Sequence, residues 1–376
     1  MRYYKIFFLV LCLLLLVVPL MQMNKENVAT QENRTLATFP LTRKDDKPNY
    51  EFGKEFERWL GDRFWGRTQL ISARFWMMYA INGRIENDKA FVGDDGWMFE
   101  KAKIVQVPSL YKQREKIEKD ADILKRFADK FKDRNIPIYF VLIPDREDLY
   151  QKYWEKHYPP QPRLDYGDEL INALKDHPNI RIAYPKQVFT EKRDIGIFRK
   201  YDEHVNEHGA IILAKFFYEC LAKDVREFKK DFPLEVSVQM QSTDTIWPPH
   251  LANLLHIPVP SEFVQEIQVE KQKHITVIED VNKTYIETQN DFAYSDKHIY
   301  ILGGCYGFDT LFPVLKNLFR FTTMIRTNRI SDTYDEQINR AVSAFNRLKQ
   351  GDILVVMGND FTLDFLKVAM NKNRKR

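Results

Sequence analysis

The sequence predicts an α/β fold with a mostly parallel sheet, helices on both faces of that sheet, and a transmembrane helix before it. Short, continuously apolar runs rich in β-branched and aromatic residues alternate along the chain with amphipathic stretches. Alternating strands and helices favour a parallel sheet whose connecting helices cover both of its faces. A separate apolar run near the N-terminus is long enough to span a bilayer.

The first 24 residues are predicted to be a signal anchor. The run from Ile6 to Met23 is apolar except for Gln22, and Arg2 and Lys5 precede it. A cleaved signal peptide has a similar composition, but no clear small-residue cleavage site follows this run, which favours an uncleaved anchor. Because the N-terminal flank is very short, the main domain is expected on the extracytoplasmic, periplasmic side of the cytoplasmic membrane.

A polar linker and one large domain are expected after the anchor. Residues 25–50 are polar and contain two prolines, which is typical of a linker. Residues 51–376 are long enough for one domain with a sizeable core. Within this domain, residues 232–296 have weak hydrophobic periodicity and several prolines. This stretch is therefore predicted to be an irregular insertion.

The sequence predicts the strands of the sheet and the helices around them in chain order. Five apolar runs are predicted as strands: Ile136–Ile143, Ile180–Ala183, Ile299–Leu302, Phe321–Ile325 and Ile353–Met357. Helical patterns lie before, between and after them at residues 117–131, 168–175, 210–221, 310–319, 335–348 and 362–371. In sheets of this kind, ligands bind at the carboxyl ends of the strands. Reactive residues at those ends are therefore candidate site residues.

The charge distribution and the cysteine spacing argue against nucleic acid and zinc as partners. The formal net charge of +4 comes from 57 basic and 53 acidic residues spread along the chain. No basic stripe with interleaved aromatic residues is present in the sequence, so nucleic acid is not an expected partner. The cysteines beyond the apolar run, Cys220 and Cys305, could form one disulfide but lack the spacing of a zinc site.

The segment from Tyr201 to Gly209 contains a candidate base and its partner. Asp202 and His204 lie two residues apart before a predicted helix, and in a turn the carboxylate can reach Nδ1 of the imidazole. A polar loop in which Asn206 caps the next helix explains the same residues without a catalytic role. Asp202, His204 and His208 are too close in sequence to complete a metal site without a distant ligand, so no metal is expected.

Cys305 lies at a glycine-rich bend between a predicted strand and a predicted helix. A cysteine is a competent nucleophile when a neighbouring histidine deprotonates it, and backbone N–H groups at such a bend can face a developing oxyanion. The bend lacks both the Walker lysine and the GxGxxG pattern, so no nucleotide cofactor is expected. The alternative is a small apolar residue that fills a tight strand–helix turn.

Seven short segments carry a resemblance to a known family. They are Glu32-Asn33-Arg34, Phe56-Glu57 with Trp59, Gly93–Phe99, Ile143–Arg146, Asp202–Asn206, His250–Leu255 and Leu302–Tyr306. Their residues and their order resemble the motifs of the AlgX/AlgJ-like (DHHW-type) proteins, which take part in polysaccharide O-acetylation. The resemblance implies a three-layer SGNH-hydrolase-like fold.

The resemblance also implies a function and a set of roles. It implies O-acetylation of an exported or cell-surface polysaccharide, beside a membrane-bound O-acyltransferase that supplies acetyl groups. His204 takes the position of the general base, Asp202 that of its orienting partner, and Cys305 that of the serine nucleophile. Gly304, Tyr306 and Asn206 flank these residues and are further candidates for contacts with substrate or an oxyanion.

Departures from the family pattern leave two functions open. Cys305 replaces the serine, Gly304 replaces an aspartate or threonine, and Val205 replaces a tryptophan. The first hypothesis is a carbohydrate O-acetyltransferase or acetylesterase that acts through a thioester on Cys305. The alternative is a catalytically degenerate glycan-binding or scaffold component of a polysaccharide export or modification assembly.

Overall fold

The computed structural model describes residues 3–10, 13, 23, 28–29, 34–44, 47–229, 231–240, 246–247, 249–255, 257, 262–263, 265–270, 275–281, 283–327, 334–358 and 360–372. The chain divides into two compact units. The first unit is Met1–Ala102 with Trp247–Glu262, and the second, here called the sheet unit, is Lys103–Ile246 with Phe263–Arg376. This division differs from the single domain over residues 51–376 that the sequence suggests.

The predicted transmembrane helix falls largely outside the described residues. Residues 3–10 are helical, whereas residues 11–12 and 14–22 lie outside the described part of the chain. Among the residues that the structure describes, no helix has both the length and the hydropathy needed to cross a membrane.

The first unit contains two consecutive helices and a β-hairpin. Helix Phe52–Arg63 places aromatic side chains on one face, where Trp59 packs edge-on against Phe39 with ring centroids 4.8 Å apart. The hairpin strands are antiparallel, and the turn between them contains Asp95 at φ 53°. The other helices and strands of the unit are Arg67–Asn82, His250–Leu255, Val28–Ala29, Arg34–Thr35, Arg43–Lys44, Lys47–Pro48, Ala90–Val92 and Met98–Glu100.

Seven strands form the central sheet of the sheet unit. They are β1 (Ile138–Val141), β2 (Ile180–Ala183), β3 (Ile275–Val281), β4 (Tyr285–Asn290), β5 (Ser295–Gly303), β6 (Phe319–Arg326) and β7 (Ile353–Met357). Their spatial order is β3-β4-β6-β5-β7-β1-β2. The four pairs from β6 to β2 are parallel, and the pairs β3–β4 and β4–β6 are antiparallel. The sheet is therefore mixed.

The five predicted strands are all present, but β3 and β4 are additions. Both lie within residues 232–296, so the prediction of an irregular insertion is wrong for this part of the stretch. The reason is that β3 is an edge strand with mostly exposed or half-buried side chains, and a weakly buried strand lacks a strong apolar pattern. Residues Val236–Met240 and Gln265–Val269 pair as a separate antiparallel ribbon.

Helices cover both faces of the sheet, as the sequence predicts. On one face, Phe140 of β1, Leu302 of β5 and Val356 of β7 share a buried cluster with helices Leu110–Asp129 and Tyr334–Arg347. On the other face, Tyr139 of β1 meets Phe217 of helix Glu207–Asp224 with ring centroids 5.7 Å apart. Further helices are Lys101–Ile104, Arg146–Leu149, Tyr166–Leu174, Lys186–Lys192, Phe312–Leu315 and Asp360–Lys372.

Candidate active site

The end of β5 places Cys305 at the carboxyl edge of the sheet. β5 ends at Gly303, and a helical segment begins at Cys305 and continues through the π-helical turn Gly307–Leu311. A Cβ atom at Gly303 would lie 2.8 Å from Cβ of Met357 on β7, so the close approach of the two strands requires glycine there. This is the edge at which α/β sheets bind their ligands.

Three predicted residues meet at this edge. Nε2 of His204 lies 2.8 Å from Sγ of Cys305, and Nδ1 of His204 lies 2.5 Å from Oδ1 of Asp202. The backbone N–H of His204 also donates to Oδ1 of Asp202, at 2.9 Å. Asp202 is only 2% exposed, whereas His204 and Cys305 are half-buried. The side chains therefore form a continuous chain of polar contacts from a buried carboxylate to an accessible sulfur.

The contacts of His204 determine where the shared proton resides. Burial by itself lowers the pKa of His204, but the hydrogen bonds with Asp202 and then with Cys305 outweigh burial and raise the pKa to about 11. An imidazole with a raised pKa stays protonated well above neutral pH. His204 is therefore protonated at neutral pH, with its imidazolium between the Asp202 carboxylate and the sulfur of Cys305.

The loop that carries Asp202 is held by Arg146, a residue to which no role was assigned from the sequence. Arg146 is 2% exposed, and its guanidinium donates to the carbonyl oxygens of Arg199 and Lys200 at distances of 3.0–3.2 Å. Nη1 also lies 3.9 Å from Oε1 of the buried Glu147. The available signal was an arginine two residues after Pro144, the proline that ends a buried strand.

Replacing Arg146 with methionine is expected to destabilise the fold by about 3–5 kcal/mol, the usual cost of removing one partner from a buried charged network. The change removes the more deeply buried of the two cations beside Glu147, the other being Lys103, and removes the Arg146 hydrogen bonds to two loop carbonyls. Chemical denaturation measures the loss. Arg114→Met is the matched control, because Arg114 is an exposed arginine 3.8 Å from Glu169, and it should change stability little. Equal effects of the two changes would contradict this role for Arg146.

Asn206 caps the helix that follows the loop. Its Oδ1 accepts a hydrogen bond from the backbone N–H of Gly209 at 3.0 Å, and its Nδ2 donates to the carbonyl oxygen of Gly196 at 2.8 Å. Both polar ends of the side chain are therefore used within the fold. The capping role weighed for Asn206 is confirmed, and its contact with substrate or an oxyanion stays a prediction.

Gly304 and Tyr306 flank the sulfur at the start of the helical segment. The carbonyl oxygen of Gly304 accepts from the N–H of Phe308 at 3.1 Å, so the following N–H groups of Cys305 and Tyr306 belong to the first helical turn, which has no acceptors within its own helix. Such groups suit a developing oxyanion. The Tyr306 hydroxyl donates to the carbonyl oxygen of Glu203 at 3.0 Å, and its ring lies 5.0 Å from that of His204. The Tyr306 side chain therefore supports the loop.

The geometry bears on two alternatives for these residues, a disulfide and a metal site. Cys220 and Cys305 are both free thiols, so they do not form the disulfide that the sequence allowed. Asp202, Glu203 and His204 each offer one ligand atom, all within 4.8 Å of one another. However, both ring nitrogens of His204 already have partners, so a metal ion would displace an existing contact. His208 is exposed on the first turn of the next helix.

Comparison with known proteins identifies the family. Residues 90–290, more than half of the chain, match the family model described as "ALGX: SGNH hydrolase-like domain, acetyltransferase AlgX". Among curated protein sequences, no relative matches this chain.

Solved structures resemble this chain at low sequence identity. The structure of Bacillus cereus PatB1 with a sulfonyl adduct is 14% identical, with a TM-score of 0.50 over 73% of this chain and 98% of that chain. The O-acetyltransferase domain of Pseudomonas putida AlgJ is 13% identical, with a TM-score of 0.46 over 76% and 99%. Pseudomonas aeruginosa AlgX is 13% identical, with a TM-score of 0.46 over 75% and 67%. On the strength of the match over residues 90–290, this chain belongs to the ALGX family of SGNH hydrolase-like domains.

Proposed function

We propose that this protein is an enzyme that transfers acetyl groups to or from a polysaccharide through a thioester on Cys305. The observation that carries the proposal is the contact of the Cys305 sulfur with His204, which the buried Asp202 orients. A degenerate site has no need to keep a buried carboxylate, an imidazole and a nucleophile in this order. Membership of a family described by an acetyltransferase supports acetyl as the transferred group.

The geometry supports a two-step transfer. In the first step, the Cys305 thiolate attacks the carbonyl carbon of an acetyl ester, and the N–H groups at the helix start stabilise the oxyanion. Protonated His204 gives its proton to the departing alcohol oxygen, which leaves an acetyl thioester and a neutral imidazole. In the second step, His204 takes a proton from a sugar hydroxyl or from water. The oxygen so activated attacks the thioester and releases the thiolate.

We also propose a cellular location and a partner protein for this enzyme. We propose that residues 6–23 anchor the chain in the cytoplasmic membrane, that the sheet unit is extracytoplasmic, and that a membrane-bound O-acyltransferase supplies acetyl groups. The apolar N-terminal run supports the anchor, and membership of a family described by an acetyltransferase supports the need for an acetyl supply. The full chain should fractionate with membranes, whereas a version starting at Lys25 should be soluble. A mature N-terminus just after Met23 would contradict the anchor.

A mass measurement tests the proposed chemistry. The protein is incubated with 4-nitrophenyl acetate and quenched in acid, and the mass of the intact chain is measured. We expect a gain of one acetyl group, located on the peptide that contains Cys305. Cys220→Ala should acquire the same group, because Cys220 lies in the middle of helix Glu207–Asp224 and burial raises the pKa of its thiol. A folded protein that gains no acetyl group from any acetyl ester would favour the scaffold hypothesis.

A further inference from the structure

A cavity of about 360 Å³ opens beside the candidate active site, at the carboxyl ends of β1 and β7. Tyr306, which directly follows Cys305 in the chain, lines it. Glu203, which directly precedes His204, lines it as well. Gly358 at the end of β7 and Asp145 after β1 line it as well. Its volume lies within the range of about 300–1,000 Å³ typical of small-molecule sites. The cavity is therefore large enough for a sugar unit, and two of its lining residues are the chain neighbours of Cys305 and His204.

The cations around this cavity already have partners. Nζ of Lys116 lies 2.7 Å from Oδ2 of Asp120, and Nζ of Lys103 lies 3.7 Å from Oε2 of Glu147. The guanidinium of Arg146 holds the loop carbonyls described above. The lining therefore offers little positive charge to an anionic ligand.

Two carboxyl groups of the lining have no such partner among the described residues. Asp145 precedes the short helix Arg146–Leu149, and its side chain makes no capping hydrogen bond. Asp145 is exposed to solvent and lines the cavity. Within the described part of the chain, Oε2 of Glu203 is buried without a hydrogen-bond partner. A buried carboxylate oxygen without a donor is costly, so Glu203 is suited to a ligand that brings a donor. Asp145 offers a second, exposed acceptor in the same lining.

The charges near Asp145 make the cavity unfavourable for a further negative charge. Burial is the largest cause and the Glu147 carboxylate the next, and together they raise the pKa of Asp145 to about 6. Asp148 adds to this effect, and Lys103 and Arg163 oppose it without cancelling it. A further negative charge in the cavity would be repelled by Asp145 and Glu203, whereas hydroxyl or ammonium groups could donate hydrogen bonds to both.

We propose that this cavity binds the acceptor sugar, and that the sugar unit it takes carries hydroxyl or ammonium groups and no carboxylate. This inference rests on the proposed acetyl transfer and specifies the acceptor class. The rings of Tyr166, Tyr184 and Tyr306 complete the lining with flat apolar surfaces that suit the face of a sugar. A polymer of uronic acids is therefore a poor acceptor, and a neutral or amino-sugar polymer is a good one.

Calorimetry on the full chain tests the binding preference. The Cys305→Ala variant is titrated with glucosamine, neutral glucose and mannuronate oligosaccharides of equal length, so that no chemistry intervenes. We expect at least one of the first two to bind about tenfold or more tightly than the mannuronate, a difference of about 1.4 kcal/mol. The first two titrations distinguish an ammonium group from hydroxyl groups as the preferred donor. Equal or tighter binding of mannuronate, or no binding of any of the three, would overturn the proposal.

Variants of the two carboxyl groups connect the preference to the cavity. Asp145→Asn and Glu203→Gln should each reduce the advantage over mannuronate severalfold. Asp364→Asn is the matched control, because Asp364 is exposed, pairs with Lys367 and is not part of the cavity lining, and it should leave the preference unchanged. An unchanged preference in both cavity variants would place the sugar elsewhere. Failure of the proposed function would appear instead as absence of the acetyl thioester, with this binding preference intact.

A stability measurement checks Asp145 independently of any ligand. Because the pKa of Asp145 is raised in the folded protein, ionisation of this group destabilises the fold as the pH rises through about 6. Asp145→Asn should therefore raise the melting temperature at about pH 8 and leave it nearly unchanged at about pH 4, where the carboxyl is largely protonated in the folded state. A lower melting temperature at the higher pH would show that Asp145 has an internal partner and would overturn the proposal.

Discussion

Replacing Cys305 with alanine is expected to lower the rate of acetyl release from a soluble acetyl ester by about 10⁴-fold or more, because loss of the nucleophile leaves only binding and oxyanion stabilisation. Initial rates with 4-nitrophenyl acetate measure the effect. The melting temperature should change little, since the side chain is half-buried and small. Cys305→Ser should keep part of the activity, because a hydroxyl can take the same position beside His204.

The control for this change is Cys220→Ala. Cys220 is also a half-buried free thiol, but it lies in the middle of helix Glu207–Asp224 rather than at the edge of the sheet. Its removal should leave the rate of acetyl release near that of the unchanged protein. Full activity in the Cys305→Ala variant, with the thioester found on another residue, would exclude Cys305 as the nucleophile.

Replacing His204 with alanine is expected to lower the same rate by about 10²–10⁴-fold, the usual contribution of a positioned acid and base. The variant loses the group that holds the proton in the resting state and delivers it to the leaving oxygen. Asp202 keeps the hydrogen bond from the backbone N–H of residue 204, so the loop retains one of its contacts. His208→Ala is the matched control, since His208 is exposed four residues later. Equal losses in the two variants would contradict the role of His204.

Much of the site could be predicted from local sequence. Asp202 and His204 face each other because they lie in a turn, where a spacing of two residues brings their side chains together. Cys305 follows a long apolar strand, and the carboxyl ends of parallel strands share one edge of a sheet. The alternation of strands and helices also predicted the five parallel strands, which run from β6 to β2 in the spatial order of the sheet.

Other features depend on contacts that are distant in sequence. Arg146 reaches a carbonyl 53 residues away, and no local pattern marks that partner. The cavity around Asp145 likewise exists only once β1 and β7 are neighbours. β3 was missed because an edge strand with exposed side chains lacks the apolar run that identifies a buried strand. β4 is largely buried, but most of its residues are polar, so it lacks that run as well. The membrane anchor stays a prediction, because most of residues 6–23 lie outside the described part of the chain.

The pH dependence of Cys305 alkylation reports on the thiolate–imidazolium pair without any substrate. Iodoacetamide labelling of the full chain is followed peptide by peptide, so that Cys305 is resolved from the other two cysteines. Because Nε2 of His204 lies 2.8 Å from the sulfur, the proposed pair predicts that labelling of Cys305 is already fast at about pH 6, where an ordinary thiol of pKa near 8.5 is almost wholly protonated. In the His204→Ala variant, labelling should be slow at that pH and rise only as an ordinary thiol ionises. A wild-type profile that follows an ordinary thiol and is unaffected by His204→Ala would contradict the proposed thiolate–imidazolium pair.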